Sequence, residues 1–137
     1  MVHQFVFVVD DDDSLRRSVE RLLRTEGYEV ESFKTAEAFL ASEFPTPACL
    51  VLDMYLPGMD GDELQRHIAG TARELPVVAI SAHGEEATRR RALDAGAAAF
   101  LAKPFNPAAL LDAIERATAK PSAWVWSSTV SASPCAR

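Results

Sequence analysis

Two acidic features stand out by residue type: the run Asp10-Asp11-Asp12-Asp13, and the isolated Asp53, which closes the apolar run Leu50-Val51-Leu52. Ser81 and Lys103 end later apolar runs in the same way. Crowded carboxylates repel and raise one another's pKa unless a cation joins them. Hard oxygen ligands suit Mg2+, which is usually held by a few carboxylates and keeps several waters. Asp11 and Asp53 are expected to ligate such an ion, with Asp10 acting directly or through water. Ionised Asp53 beside the metal is then a nucleophile. A phosphoryl group in transfer spreads negative charge over its oxygens; the metal, the Lys103 ammonium and the Ser81 hydroxyl can each stabilise part of it. The product is a mixed anhydride open to attack by water, so such a mark is temporary.

Taken singly, each of these residues has an ordinary explanation. Asp12 or Asp13 can cap a helix, Asp53 can enter a loop, Ser81 can satisfy a turn and Lys103 can lie solvated at a strand end. What counts is their joint placement, and that depends on the elements carrying them. Short apolar runs at residues 5–9, 50–52, 77–80 and 98–102 read as buried strands. The run 28–33 is interrupted by Glu29 and Glu31, which suggests a half-exposed edge strand. Segments with helical spacing lie between them. Leu15, Val19, Leu22 and Leu23 form one stripe, with Gly27 where a C-terminal cap belongs. Thr35 can cap a short helix carrying Ala36, Phe39 and Leu40. Leu64 and Ile68 mark a third helix after the Pro57-Gly58 turn, and residues 85–95 read as a fourth, ended by Gly96. Asn106-Pro107 starts a fifth, with Leu110, Leu111 and Ile114 as its stripe.

Five successive β–α units imply an α/β fold: a five-stranded parallel sheet with helices on both faces. Right-handed crossovers make the flavodoxin-like order 2-1-3-4-5 the leading topology. Ligands of such sheets bind beyond the carboxyl ends of the strands, where strand order reverses. That brings the aspartates, Ser81 and Lys103 to one rim.

The 137 residues fit one compact domain. With 48% hydrophobic and 25% charged residues, the chain can bury a core and stay soluble. A net charge of −6 opposes binding to phosphate backbones, so this segment is not expected to contact nucleic acid. Cys49 opens an apolar run and reads as a core residue, while Cys135 lies far away; no disulfide framework is expected, which suits the cytoplasm. No signal peptide or bilayer-spanning stretch is seen, and no membrane role is expected. Arg89, Arg90 and Arg91 resemble a basic patch, but Glu85 and Glu86 stand four residues before Arg89 and Arg90, so helix-surface ion pairs explain them. His67 reads as ordinary surface.

Five motifs occur in order: Val8-Val9-Asp10-Asp11-Asp12, Leu50-Val51-Leu52-Asp53, Pro57-Gly58-Met59-Asp60-Gly61, Ser81-Ala82-His83-Gly84 and Lys103-Pro104-Phe105. Together they resemble the CheY-like receiver domains of two-component response regulators, over about residues 3–119. The wording around Ser18, Phe39-Leu40 and His83-Gly84 is most similar to FixJ-type receivers. The resemblance implies a receiver domain over 1–120, followed by a tail, 121–137, that is a linker stub or extension of unknown role. It implies Asp53 as phosphoacceptor, and Asp10, Asp11 and the Tyr55 backbone carbonyl as further ligands of Mg2+, for which Mn2+ can substitute. Lys103 would contact the phosphoryl group, with a cis Lys103–Pro104 bond. Ser81 would turn inward after modification and Phe100 would swing with it as a switch. Tyr55 and His83 hold the positions that modulate phosphate lifetime, although for His83 a plain solvent-facing side chain is the favoured reading. The phosphodonor would be a histidine kinase or phosphotransfer protein. A homodimer or effector would use the face of the fourth helix, fifth strand and fifth helix. Such a domain is a phosphoacceptor in signal transduction and not an enzyme in the ordinary sense, though it assists its own phosphorylation and dephosphorylation.

Three other readings compete. Asp10-x-Asp12-x-Ser14 imitates the nucleophile motif of haloacid dehalogenase-type phosphohydrolases, but only Asp112 and Glu115 follow Lys103 as the acidic pair they need, and Asp53 is left idle. A flavodoxin-like cofactor binder needs a Ser/Thr/Gly-rich phosphate loop where this chain has aspartates. A degenerate receiver used only for docking would lack site residues, and none is lacking. No effector pattern follows Ala119, which leaves open both a stand-alone chain and a piece of a longer regulator.

Overall fold

The structure is a computed structural model, and it describes residues 5–42, 49–70, 75–82 and 86–119. Strands and helices alternate: β1 (Phe5–Val9), α1 (Asp13–Thr25), β2 (Glu29–Phe33), α2 (Ala36–Ala41), β3 (Cys49–Asp53), α3 (Gly61–Ala69), β4 (Val77–Ser81), α4 (Glu86–Asp94), β5 (Ala99–Ala102) and α5 (Pro107–Ala119). All strand pairs are parallel, and the sheet order is β2-β1-β3-β4-β5. The topology expected from the sequence is therefore the one observed.

The sequence makes these helices start where they do. Asp12 is the N-cap of α1 and accepts from the backbone of Ser14 and Leu15. Thr35 caps α2 through the Ala38 N–H. Asp60 and Glu63 form a reciprocal capping box at α3. The Asn106 side chain accepts from Ala108 at the start of α5. Gly27 and Gly96 follow α1 and α4 with positive φ.

Side-chain alternation along β1 sets the two faces of the core. Val6 and Val8 pack with Val19 and Leu23 of α1 and Leu110 and Ile114 of α5. Phe7 and Val9 pack on the opposite face with Phe39 of α2 and Leu64 and Ile68 of α3. Phe7 also meets Phe39 edge-on at 5.7 Å, an arrangement worth about 0.5–1.5 kcal/mol beyond area burial. The central strands β3 and β4 are buried throughout. Cys49 is one of these buried residues, a free thiol whose pKa burial pushes up to about 12.

The run 98–102 reads as a buried strand, but in the structure β5 is half-buried at Ala99, Phe100 and Leu101 and exposed at Ala102. The cause is topological: among the described residues β5 is the outer strand of the sheet and pairs with β4 alone. At the other edge, β2 shows the half-exposed pattern its glutamates suggest. His67 is exposed, and Glu86 pairs with Arg89 and Arg90 at 3.5 Å each. His83, Glu85 and the segment 121–137 lie outside the described residues.

Candidate functional site

The carboxyl ends of β1, β3, β4 and β5 deliver the chemistry-bearing residues to one rim. Asp10 follows β1 and is fully buried. Its backbone N–H donates to the Phe33 carbonyl, its Oδ1 accepts from the Asp12 N–H at 2.8 Å, and its carbonyl accepts from the Arg16 guanidinium at 2.8 Å. Asp11, next along the turn, is exposed. Asp53 is the last residue of β3 and is 5% exposed. Carboxylate oxygens of Asp10, Asp11 and Asp53 all lie within 4.8 Å of one another.

Lys103 Nζ donates to Asp10 Oδ2 at 2.9 Å and to Asp53 Oδ2 at 3.2 Å. Burial works against its ammonium, but the hydrogen bond to Asp10 and the charges of Asp10 and Asp53 outweigh it, so its pKa lies above the usual 10.5. Lys103 begins just beyond β5, where its own N–H donates to the Ser81 carbonyl at 2.7 Å, and its peptide bond to Pro104 is cis. Ser81, the last residue of β4, is fully buried.

Asp53 is held above the usual carboxylate range, chiefly by burial and further by the Asp10 charge. The Tyr55 N–H, which donates to Asp53 Oδ1 at 3.1 Å, and Lys103 pull the other way without cancelling the shift. Three clustered carboxylates face one ammonium here, an excess of negative charge that a divalent cation would offset. The donor set is all oxygen, which suits Mg2+.

The loop after β3 is tightly specified. Gly58 has φ +74°, and a Cβ there would meet Glu37 Oε2 at 2.8 Å. The same Glu37 oxygen accepts from the Met59 N–H at 2.9 Å, tying α2 to this loop. Gly61 packs so closely that a Cβ would fall 2.6 Å from Met54 Cα and 2.7 Å from the Asp53 carbonyl oxygen. Phe100, half-buried on β5, packs against the small cluster of Met54, Ala79 and Ala92.

Four contributors escaped the sequence reading. Arg16 holds the Asp10 carbonyl and pairs with Asp13. Its i+3 spacing from Asp13 reads as a plain helix pair, and nothing local signals the reach back to Asp10. Glu37, Thr88 and Arg91 are the others. The Tyr55 hydroxyl lies 3.1 Å from Thr88 Oγ1 and accepts from Arg91 Nη2 at 3.1 Å. These contacts join positions 33 and 36 residues apart, which no periodicity reports.

The competing chemistries fit poorly. Asp12, which a phosphohydrolase would use as its acid, spends its side chain on the α1 cap. Asp112 is paired with Arg116 on the exposed side of α5. A cofactor phosphate at the β1 turn would face the carboxylates of Asp10 and Asp11.

The sequence profile of the response regulator receiver domain matches residues 6–115. Nodulation protein W of Bradyrhizobium diazoefficiens is 44% identical over 114 residues, covering 82% of this chain and 50% of that protein. Transcriptional regulatory protein FixJ of Rhizobium meliloti is 35% identical over 119 residues, covering 86% and 58%. Among solved structures, the response regulator StyR is 48% identical with a TM-score of 0.78, covering 86% of this chain and 60% of that one. The structure described as FixJ-N is 34% identical with a TM-score of 0.80, covering 90% and 99%. The chain thus spans about half the length of the curated relatives it matches.

Proposed function

Since this chain belongs to the receiver domain family of two-component response regulators, we propose that its switch is the phosphorylation of Asp53 in the presence of Mg2+. The observation that carries this reading is the meeting of Asp10, Asp11 and Asp53 within 4.8 Å, with Lys103 bonded to two of them.

Asp10, Asp11 and Asp53, with the Tyr55 backbone carbonyl, would hold the ion; Mn2+ would substitute for it. The ion supplies charge neutralisation for the incoming phosphoryl oxygens. The residues of the chain do the rest. An ionised Asp53 oxygen forms the new O–P bond, and the P–N bond of a phosphohistidine donor breaks with its electron pair going to the imidazole. Lys103, already at hydrogen-bond distance from Asp53, stabilises charge on the transferred group. Ser81 is the hydroxyl that turns to a phosphoryl oxygen, and Phe100 shifts with it. Tyr55 modulates how fast water removes the group; His83 is assigned the same role from its position in the sequence.

The donor in this reading is a histidine kinase or phosphotransfer protein. The face of α4, β5 and α5 serves an effector or a second copy, and this segment makes no nucleic-acid contact of its own. Residues 1–120 make up the receiver unit. Cytoplasmic placement belongs to the same reading, in keeping with the free Cys49 thiol. Among the described residues, no helix is long and apolar enough to cross a membrane.

The test is acetyl phosphate labelling with Mg2+, read by intact mass. The wild-type chain should gain one phosphoryl group; Asp53→Asn should gain none, and EDTA should block labelling until Mg2+ is restored. An unchanged adduct on Asp53→Asn would remove the site from consideration.

A further inference from the structure

Helix α4 is held differently from the other helices that flank the sheet. Its buried residues are Thr88 and Ala92, a hydroxyl side chain and a single methyl. Neither large core cluster takes a residue from it. Helices α1 and α5, by comparison, bury Leu23, Leu110 and Ile114. With so little apolar surface to seat it, α4 depends more on polar ties. Three of these run to the β3–α3 side: Gln65 Nε2 to the Ala92 carbonyl at 3.2 Å, Thr88 Oγ1 to the Tyr55 hydroxyl, and Arg91 to the same hydroxyl.

Two of the three meet on Tyr55, whose backbone N–H donates to Asp53 Oδ1. One residue therefore touches the reactive carboxylate with its main chain and α4 with its side chain. The guanidinium donates to the phenol oxygen, and the phenol and the Thr88 hydroxyl share a second hydrogen bond. The arrangement ends on a buried hydroxyl.

We propose that Thr88 and Arg91 are positioning residues: they hold Tyr55 as a strap between the Asp53 carboxylate and α4, so that site occupancy is transmitted to this helix. The proposal rests on the reading of Asp53 as phosphoacceptor, and it adds a route separate from Ser81 and Phe100. When Asp53 takes on a phosphoryl group, the oxygen that accepts the Tyr55 N–H changes charge and position. The strap then carries the adjustment to the lightly packed helix. Coupling is reciprocal, so the seating of α4 in turn sets the geometry of the loop at Asp53.

The test is hydrogen–deuterium exchange of the full chain, alone and with Mg2+ and acetyl phosphate, read over residues 86–94. Wild type is compared with Thr88→Val, Thr88→Ser and Arg91→Ala at equal label. Loading should change exchange across α4 in wild type and in Thr88→Ser, which keeps the hydroxyl. In Thr88→Val and Arg91→Ala that response should fall to about half or less, as expected from losing one hydrogen bond of the strap. An equal response in all four chains overturns the proposal. So does a wild-type chain whose α4 ignores loading; intact mass then separates the causes, since a phosphorylated Asp53 leaves the site reading standing and an unmodified one removes both.

Discussion

Lys103 bonds two carboxylates that sit at the ends of different strands, β1 and β3, and so reports directly on the site at the scale of single residues. Removing it leaves Asp10, which is fully buried, without its counter-charge. Lys103→Ala should therefore destabilise the metal-free chain by about 3 kcal/mol in urea titration and impair labelling of Asp53. A variant as stable as wild type would show that the Asp10 charge is compensated elsewhere. The pH dependence follows from Asp53. Its folded pKa is raised, so the folded chain binds this proton more tightly than the unfolded one. The associated stability is present below the ordinary value of 3.8 and is lost as pH rises through the raised folded value. In Asp53→Asn, urea titrations of the metal-free chain across that window should lack this component. Lys103 works in the same sense at the alkaline end: its contribution holds below 10.5 and is lost as pH climbs through its folded value.

The loop leaving β3 shows how an element constrains the site it carries. Gly61 opens α3, and its missing Cβ lets the helix start directly against Met54 and the Asp53 carbonyl. Gly61→Ala must push backbone against backbone, because the nearest atoms are main-chain atoms of β3's end and not a flexible side chain. The variant should lose about 1–3 kcal/mol in stability and bind Mg2+ more weakly by calorimetric titration, since the displaced backbone belongs to Asp53 itself. Weakened folding with unchanged Mg2+ affinity would place the ion away from this loop. The cap of α1 offers a milder case. Asp12→Ala should cost about 1 kcal/mol in thermal or chemical melts without removing a carboxylate of the cluster.

At the scale of the whole molecule, metal binding and folding are linked. The three carboxylates come from the ends of two strands that only the folded sheet brings together, so an ion bound there stabilises the fold. At a Mg2+ concentration about 100 times its Kd, the gain is about 2.7 kcal/mol. For a chain of this size that raises Tm by about 5–10 °C, and EDTA should reverse it. Asp11→Asn and Asp53→Asn should each shrink the shift. An equal shift in both variants would place the ion elsewhere.

Much of this was legible in the chain itself. Strand and helix succession and the caps at Asp12, Thr35 and Asn106 follow from local periodicity and from residue chemistry that acts within a few positions, and the 2-1-3-4-5 order from the handedness of β–α–β crossovers. The placement of Asp10, Asp53, Ser81 and Lys103 on one rim was legible because parallel strands bring their carboxyl ends together whatever the packing details. Folding decided what links distant segments: the two hydrogen bonds of Lys103, the Glu37 tie to Met59 and the strap from Tyr55 to α4. It also decided that β5 is half-exposed, because burial depends on which neighbours a strand acquires and not on its own composition. Side-chain reach across 22 to 93 positions leaves no periodic trace in a sequence, and only the packed sheet sets those distances.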